Sequence, residues 1–193
     1  MDVKLIAQIR EQTGAGMLAV KKALDESQGN AEGAIEILRK SGAAKAAKKA
    51  GRATDQGAVG SYIHGGGKIG VVVEVQCETD FVSRNEQFQA MVSDLAMHIA
   101  AMHPLYVSRE EVPADVASKE REIYAEEVKD KPADIQDKIL DGKMDKYYKE
   151  VCLLEQEYLK DDSKTVEEYV QSKVLQLGEN LKIARFSRLA IGE

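Results

Sequence analysis

A chain of 193 residues with 44% hydrophobic and 31% charged side chains is long enough to bury a real core and too apolar to be disordered. Its net charge of −6 excludes wholesale binding to nucleic acid or to anionic membranes, because phosphate binding needs a basic face. With no Trp and 5% aromatic residues, the core must be aliphatic and Ala-rich, a composition suited to helices.

Met1, Asp2, Val3 and Lys4 open directly into an amphipathic pattern without a signal-peptide core. No apolar run approaches the roughly 20 residues that span a bilayer. Cys77 and Cys152 are too few and too far apart for a disulfide scaffold or a zinc site. Reduced thiols and the missing targeting signal predict a cytoplasmic protein, or one of an equivalent compartment.

Leu5, Ile6 and Ile9 stripe a first helix that stops at Thr13, Gly14, Ala15 and Gly16, where the glycines permit a tight turn. Met17, Val20 and Leu24 make a second helix ending near residues 27–29. Asn30 caps a third, whose inner face is Ala31, Ala34, Ile35 and Leu38. Three such helices form a mini-domain of small core, near the lower limit of independent stability. Met17 and Leu18 directly follow the turn, where core packing and exposure are both open. Residues 41–57 hold Ala, Lys and Gly but few large apolar side chains, which predicts a connecting helix frayed at both ends and a domain boundary near Arg52. Lys40, Lys45, Lys48, Lys49 and Arg52 cluster in this stretch and read as a solvated face or linker.

Val59, Ser61 and Ile63 then alternate with Gly60, Tyr62 and His64. After a turn at Gly65, Gly66, Gly67 and Lys68, Ile69, Val71, Val73 and Val75 alternate with Gly70, Glu74 and Gln76. This is a hairpin of strands near residues 58–64 and 69–77. Two strands are marginal alone, so a third is required, and the alternating run 181–191 supplies it.

The chain leaves this hairpin through Cys77, Glu78, Thr79, Asp80, Phe81 and Val82. Ser83 with Glu86 makes a capping box for a helix over 83–102, in which Phe88, Met91, Val92, Leu95, Ile99 and Met102 fall at helical spacing. Thr79 and Asp80 can bond local backbone N–H groups, which favours a turn and gives Phe81 a fixed direction. A lone Phe at such a corner ordinarily packs inward on the following helix. An outward ring would instead be an anchor for a partner's pocket, worth roughly 1.5–3 kcal/mol when buried there. His98 lies beside the apolar seam and reads as a hydrogen-bonded core histidine.

Pro113 opens a polar helical region. Val116, Ile123 and Val128 thinly stripe one helix, Ile135, Ile139, Leu140, Met144 and Tyr147 the next, with Lys131 and Pro132 between. The pattern predicts an antiparallel hairpin over about 113–150 with a narrow, coiled-coil-like seam. Residues 151–159 rejoin the core, and residues 163–166 open a last helix containing Tyr169, Val170, Val174 and Leu177. The expected fold is α+β, with a helical module and its connecting helix over 1–52 and a three-stranded core carrying a helical arm over 53–193.

No catalytic constellation emerges. Cys77 and His64 could be imagined as nucleophile and base, but alternation puts Cys77 on the face of Val73 and Val75, and nothing acidic is placed to orient the histidine. There is no GxxxxGK phosphate loop, and the glycine triplet precedes a strand rather than a helix. Neither a cofactor nor a metal is expected.

Three segments carry a family resemblance. The run CETDFV at 77–82, followed by Asn85 and Phe88, resembles the TDFV signature of the elongation factor Ts family. TGAGM at 13–17 with Lys21, Lys22, Ala23 and Leu24 is similar to that family's N-terminal ubiquitin-associated-like module, and GSYIHG at 60–65 to its GSYxHG element. The resemblance implies a guanine nucleotide exchange factor for elongation factor Tu that acts by binding and not as an enzyme. It implies contacts from Thr79, Asp80, Phe81 and Val82 near the partner's Mg²⁺ site, from Arg10, Met17, Leu18 and Lys21 in the helical module, and from His64 on the core sheet. Leu18 stands where some members have a second Met. Longer members carry the strand-and-helix core twice and this chain once, which implies a homodimer presenting two corners to two elongation factor Tu molecules. Two rival readings are an adaptor that uses the helical module without exchange, and a small thiol enzyme built on Cys77.

Overall fold

The computed structural model describes residues 3–193, so Met1 and Asp2 of the N-terminal pattern lie outside the described residues. Helices α1 (Val3–Thr13), α2 (Met17–Glu26) and α3 (Ala31–Ala47) bury Ile6, Ile9, Val20, Ala23, Leu24, Ala34 and Leu38 against one another. The Asn30 side chain accepts from the Glu32 and Gly33 N–H groups at 3.0 and 3.2 Å, satisfying two donors that the start of α3 leaves free. The expected connecting helix is the unbroken continuation of α3 as far as Ala47.

Strands β1 (Gln56–His64) and β2 (Ile69–Cys77) pair as an antiparallel hairpin. The chain then enters helix differently from the Ser83–Glu86 expectation. Thr79 caps a single turn, α4 (Asp80–Ser83), and Asn85 separately caps α5 (Glu86–Met102) by accepting the Gln87 N–H at 2.8 Å. Ser83 sits inside the short helix and donates back to the Asp80 carbonyl at 2.9 Å, so its hydroxyl is not at an N-terminus. His103, in the left-handed region at φ +50°, ends α5 ahead of Pro104.

The arm consists of α6 (Ala114–Val128) and α7 (Ala133–Val151), packed on each other through buried Val128, Leu140 and Met144. Ile123 and Ile135 stay largely exposed, so the seam is as narrow as the sparse stripe implies. At its base, Arg109 holds Glu155 through two nitrogens, reaches Asp145 at 2.9 Å and lies 4.5 Å over the Tyr148 ring. A small hairpin of β3 (Glu157–Tyr158) and β4 (Asp161–Thr165) follows, then α8 (Val166–Leu177), which Thr165 and Glu168 start with a reciprocal capping box.

Strand β5 (Leu181–Ala190) completes the main sheet in the order β1-β2-β5, all antiparallel. Its inner face presents Val71, Val73, Val75 and Cys77 to Phe88, Met91, Val92, Leu95 and Ile99 of α5, with Tyr169, Val170 and Val174 of α8 in the same core. The helical module seats on α8 through two glycines. A Cβ on Gly14 (φ +69°) would lie 2.8 Å from the Ser172 carbonyl oxygen, and one on Gly42 would lie 2.8 Å from Leu175 Cδ1. Within 41–47, Gly42 and Ala46 are buried, and the close approach at Gly42 ties this end of α3 to α8. Among the described residues no helix is long and apolar enough to cross a membrane.

His98 is fully buried, with Nε2 3.0 Å from the Gln156 amide oxygen and Nδ1 accepting the Leu159 N–H at 3.2 Å. Both contacts suit a neutral ring, and burial lowers its pKa. The folded chain thus binds a proton here less readily than the unfolded chain, whose histidine titrates near 6.5. As pH falls through that value the unfolded state gains the proton first, so stability drops toward acid. Urea midpoints measured from pH 7.5 to 5 should fall, and His98→Gln should flatten part of that fall. An identical slope in the variant would assign the acid sensitivity to other groups.

Candidate functional site

The candidate corner begins where β2 ends. Cys77 is buried and its thiol donates to the Thr79 carbonyl at 3.1 Å, starting the bend. The Thr79 hydroxyl then accepts the Val82 N–H at 3.4 Å, and α4 makes one turn before Asn85 starts the next helix. Neighbouring residues on a helix point about 100° apart, so α4 can aim only one of its two apolar side chains at the core. Val82 is half-buried against that core, and Phe81 is 84% exposed. The inward placement ordinary for a lone Phe is therefore not adopted. Asp80 carries an ion pair to Arg84 at 3.0 Å, one turn along.

Two residues outside the sequence motif hold this corner. The carboxylate of Glu179 accepts the Glu78 and Thr79 N–H groups at 3.1 and 3.0 Å, and the Thr79 hydroxyl at 2.6 Å. In return Glu78 accepts the Asn180 N–H at 2.6 Å and faces Arg52 at 3.4 Å. The Asn180 bond, with Arg52 behind it, lowers the pKa of the Glu78 carboxyl. A hundred residues separate Glu179 from Thr79 in sequence. The one sequence sign of this clasp is a polar pair just past the helix-ending Gly178.

The other candidate residues fall into two places. Arg10 lies in the last turn of α1, and Met17, Leu18 and Lys21 lie at the start of α2. Met17 is 49% and Leu18 82% exposed, so both apolar residues after the glycine turn face outward together. His64 stands exposed at the end of β1, with Nδ1 3.1 Å from the Tyr62 hydroxyl and its ring stacked on the Tyr62 ring. Cys77 and His64 are not brought together. Cys77 pairs with Gln56 and His64 with Ile69, at opposite ends of the hairpin, about 27 Å apart at ~3.4 Å per residue. Burial first, and then the Glu179 charge, raise the Cys77 pKa, which keeps it a thiol and not a nucleophilic thiolate. Among the described residues no group of His, Cys, Asp and Glu gathers to hold a metal.

A family model described as Elongation factor TS matches residues 6–193. This chain belongs to the elongation factor Ts family. The elongation factor Ts of Geobacter metallireducens is 55% identical over 190 residues, covering 97% of this chain and 88% of that protein. Those of Thermotoga petrophila and Fervidobacterium nodosum are each 51% identical over all of this chain, and over 97% and 99% of their own length. These two relatives are therefore close to this chain in length.

Because Phe81 contributes almost nothing to the interior, Phe81→Ala should shift the unfolding free energy by no more than about 0.5 kcal/mol. Val82→Ala, which empties part of the core, should cost about 1 kcal/mol or more. Equilibrium urea unfolding of the two variants checks the contrast.

Proposed function

We propose that this protein promotes GDP release from elongation factor Tu during translation elongation, by binding the nucleotide-free form of that partner more tightly than the GDP form. The observation that carries this reading is the Phe81 ring, held outside the interior on a turn whose backbone is fixed at both ends. A factor that favours the nucleotide-free state must weaken GDP by the same factor, by linkage. Each tenfold weakening needs about 1.4 kcal/mol of differential binding. An aromatic anchor worth roughly 1.5–3 kcal/mol on burial would supply about ten- to a hundredfold by itself.

In this reading Phe81 wedges into an apolar pocket near the Mg²⁺ side of the partner's nucleotide domain. Thr79 and Val82 hold the turn, and Asp80 fixes it or reaches a polar group of the partner. Arg10, Met17, Leu18 and Lys21 of the module over 1–52 grip the nucleotide domain, and His64 of the core over 53–193 meets another domain. The factor works by binding, without a cofactor or catalytic group of its own, and without direct contact to nucleic acid or membrane, in the cytoplasm.

The same reading includes a homodimer. The outer face of the main sheet exposes Val59, Ile63, Val72 and Leu189. Ile63, Gly70 and Leu189 lie in one row across the three strands, with Ile63 leaning over Gly70. A second copy seated face to face would cover this apolar surface and carry two Phe81 corners to two elongation factor Tu molecules.

Release of labelled GDP from elongation factor Tu is the deciding measurement. The unsubstituted chain should accelerate it, and Phe81→Ala should lose about tenfold or more of the acceleration. Equal release by the variant would remove the wedge role, and binding without acceleration by either protein would favour the adaptor. For the dimer, Ile63→Glu combined with Leu189→Glu should convert the sedimenting species to a monomer. A monomer from the unsubstituted chain at the same concentration would overturn the dimer.

A further inference from the structure

The turn 178–180 after α8 touches two segments that are remote from it in sequence. On one side Glu179 takes the Glu78 and Thr79 N–H groups, and Asn180 gives its own N–H to Glu78. On the other side the Asn180 side-chain amide donates to the Ala50 and Arg52 carbonyls at 3.2 and 3.0 Å, and Lys49 donates to the Gly178 carbonyl. Asn180 is buried and its own bonds are partly shielded from water, whereas the Lys49 bond lies at the surface. One short loop thus joins the Phe81 corner to the connection that leaves the helical module.

Within this arrangement the chemistry of Glu179 is specific. An ionised carboxylate only accepts, and three donors converge on it: two backbone N–H groups and the Thr79 hydroxyl. Because the Thr79 hydroxyl gives its proton to Glu179, its lone pairs are left to receive the Val82 N–H that starts α4. The carboxylate therefore orients the cap, and the cap orients the helical turn on which Phe81 stands.

We propose that Glu179 is the positioning residue of the Phe81 corner, acting through Thr79 to present the ring in one direction. This rests on the exchange reading above for its functional consequence, but not for its structural one. An amide in place of the carboxylate would keep one oxygen for the two N–H groups but turn its NH2 toward the Thr79 hydroxyl, and an alanine would leave the Glu78 and Thr79 N–H groups without that partner.

The test has two arms on the full chain. Amide hydrogen exchange in the free protein should show Thr79 and Val82 losing protection about tenfold or more in Glu179→Ala, and by less in Glu179→Gln, while Val73 and Val75 of β2 keep theirs. In the GDP-release assay Glu179→Ala should lower the stimulated rate about tenfold, yet change it less than twofold when Phe81→Ala is already present, since no ring remains to be positioned. Unchanged protection at Thr79 and Val82 would overturn the proposal, and so would an equal loss of rate in both backgrounds, which marks a general structural role. Should Glu179→Ala not fold, Glu179→Gln carries both comparisons. If the unsubstituted chain does not accelerate release, the exchange reading fails, and the protection of Thr79 and Val82 alone decides the role of Glu179.

Discussion

The packing of α5 across the inner face of β2 is the constraint from which the corner follows. Val71, Val73, Val75 and Cys77 are sealed beneath Phe88, Met91, Val92, Leu95 and Ile99, and β2 is paired on both edges, so neither partner has freedom to slide. Residues 78–85 must therefore reverse the chain over a fixed span. Two capping side chains, Thr79 and Asn85, divide that span into a single helical turn and a fresh helix start. With only one turn available, Val82 takes the inward position and Phe81 is left in solvent. Exposure of the ring is thus a consequence of the core and not a local accident.

Most of the fold was legible because its signals are local. The alternation of Val71, Val73 and Val75, the triple glycine turn, the stripe from Phe88 to Ile99 and the Asn30 cap each act within a few residues, and each forms as its pattern implies. What escaped depends on neighbours remote in sequence. The β3–β4 hairpin has two residues on one side and the polar run DDSKT on the other, with no alternation to betray it. Ser83 and Glu86 satisfy a capping spacing, but the backbone at Ser83 is already helical, so Asn85 takes the role. Residues 41–47 look like a fraying linker until Leu175 and Ser172 are brought beside Gly42 and Gly14. The outward direction of Phe81 came from resemblance alone, since spacing treats Phe81 and Val82 alike.

Those same glycines fix how the helical module sits on the core. A module of three short helices has a small core, and its seat on α8 lets backbone approach backbone at Gly14. Arg39 adds a bond to the Ser163 carbonyl at 3.0 Å from the far side of the same interface. Met17 and Leu18, one turn beyond Gly14, are consequently carried at a set place relative to the sheet and its corner. If the proposed function holds, two contact points at a fixed spacing favour one arrangement of the partner over another, whereas the same points on a loose tether would bind both alike and shift nothing.

The free protein forgoes roughly 1.5–3 kcal/mol by leaving a phenylalanine in water, an amount comparable to a good fraction of a small domain's margin. A ring on a mobile loop would also lose conformational freedom on entering a pocket, at about 0.5–1.5 kcal/mol for the side chain and more for the backbone. Here the backbone share is already settled during folding, by hydrogen bonds from Glu78 and Thr79 to the Glu179 carboxylate and from the Val82 N–H to Thr79, none of which depends on a partner. The burial energy that the fold forgoes is then available almost whole at the moment of contact. An exposed aromatic on a pre-ordered turn is for that reason suited to shifting another protein's equilibrium, and the ordering contacts around it matter as much as the ring.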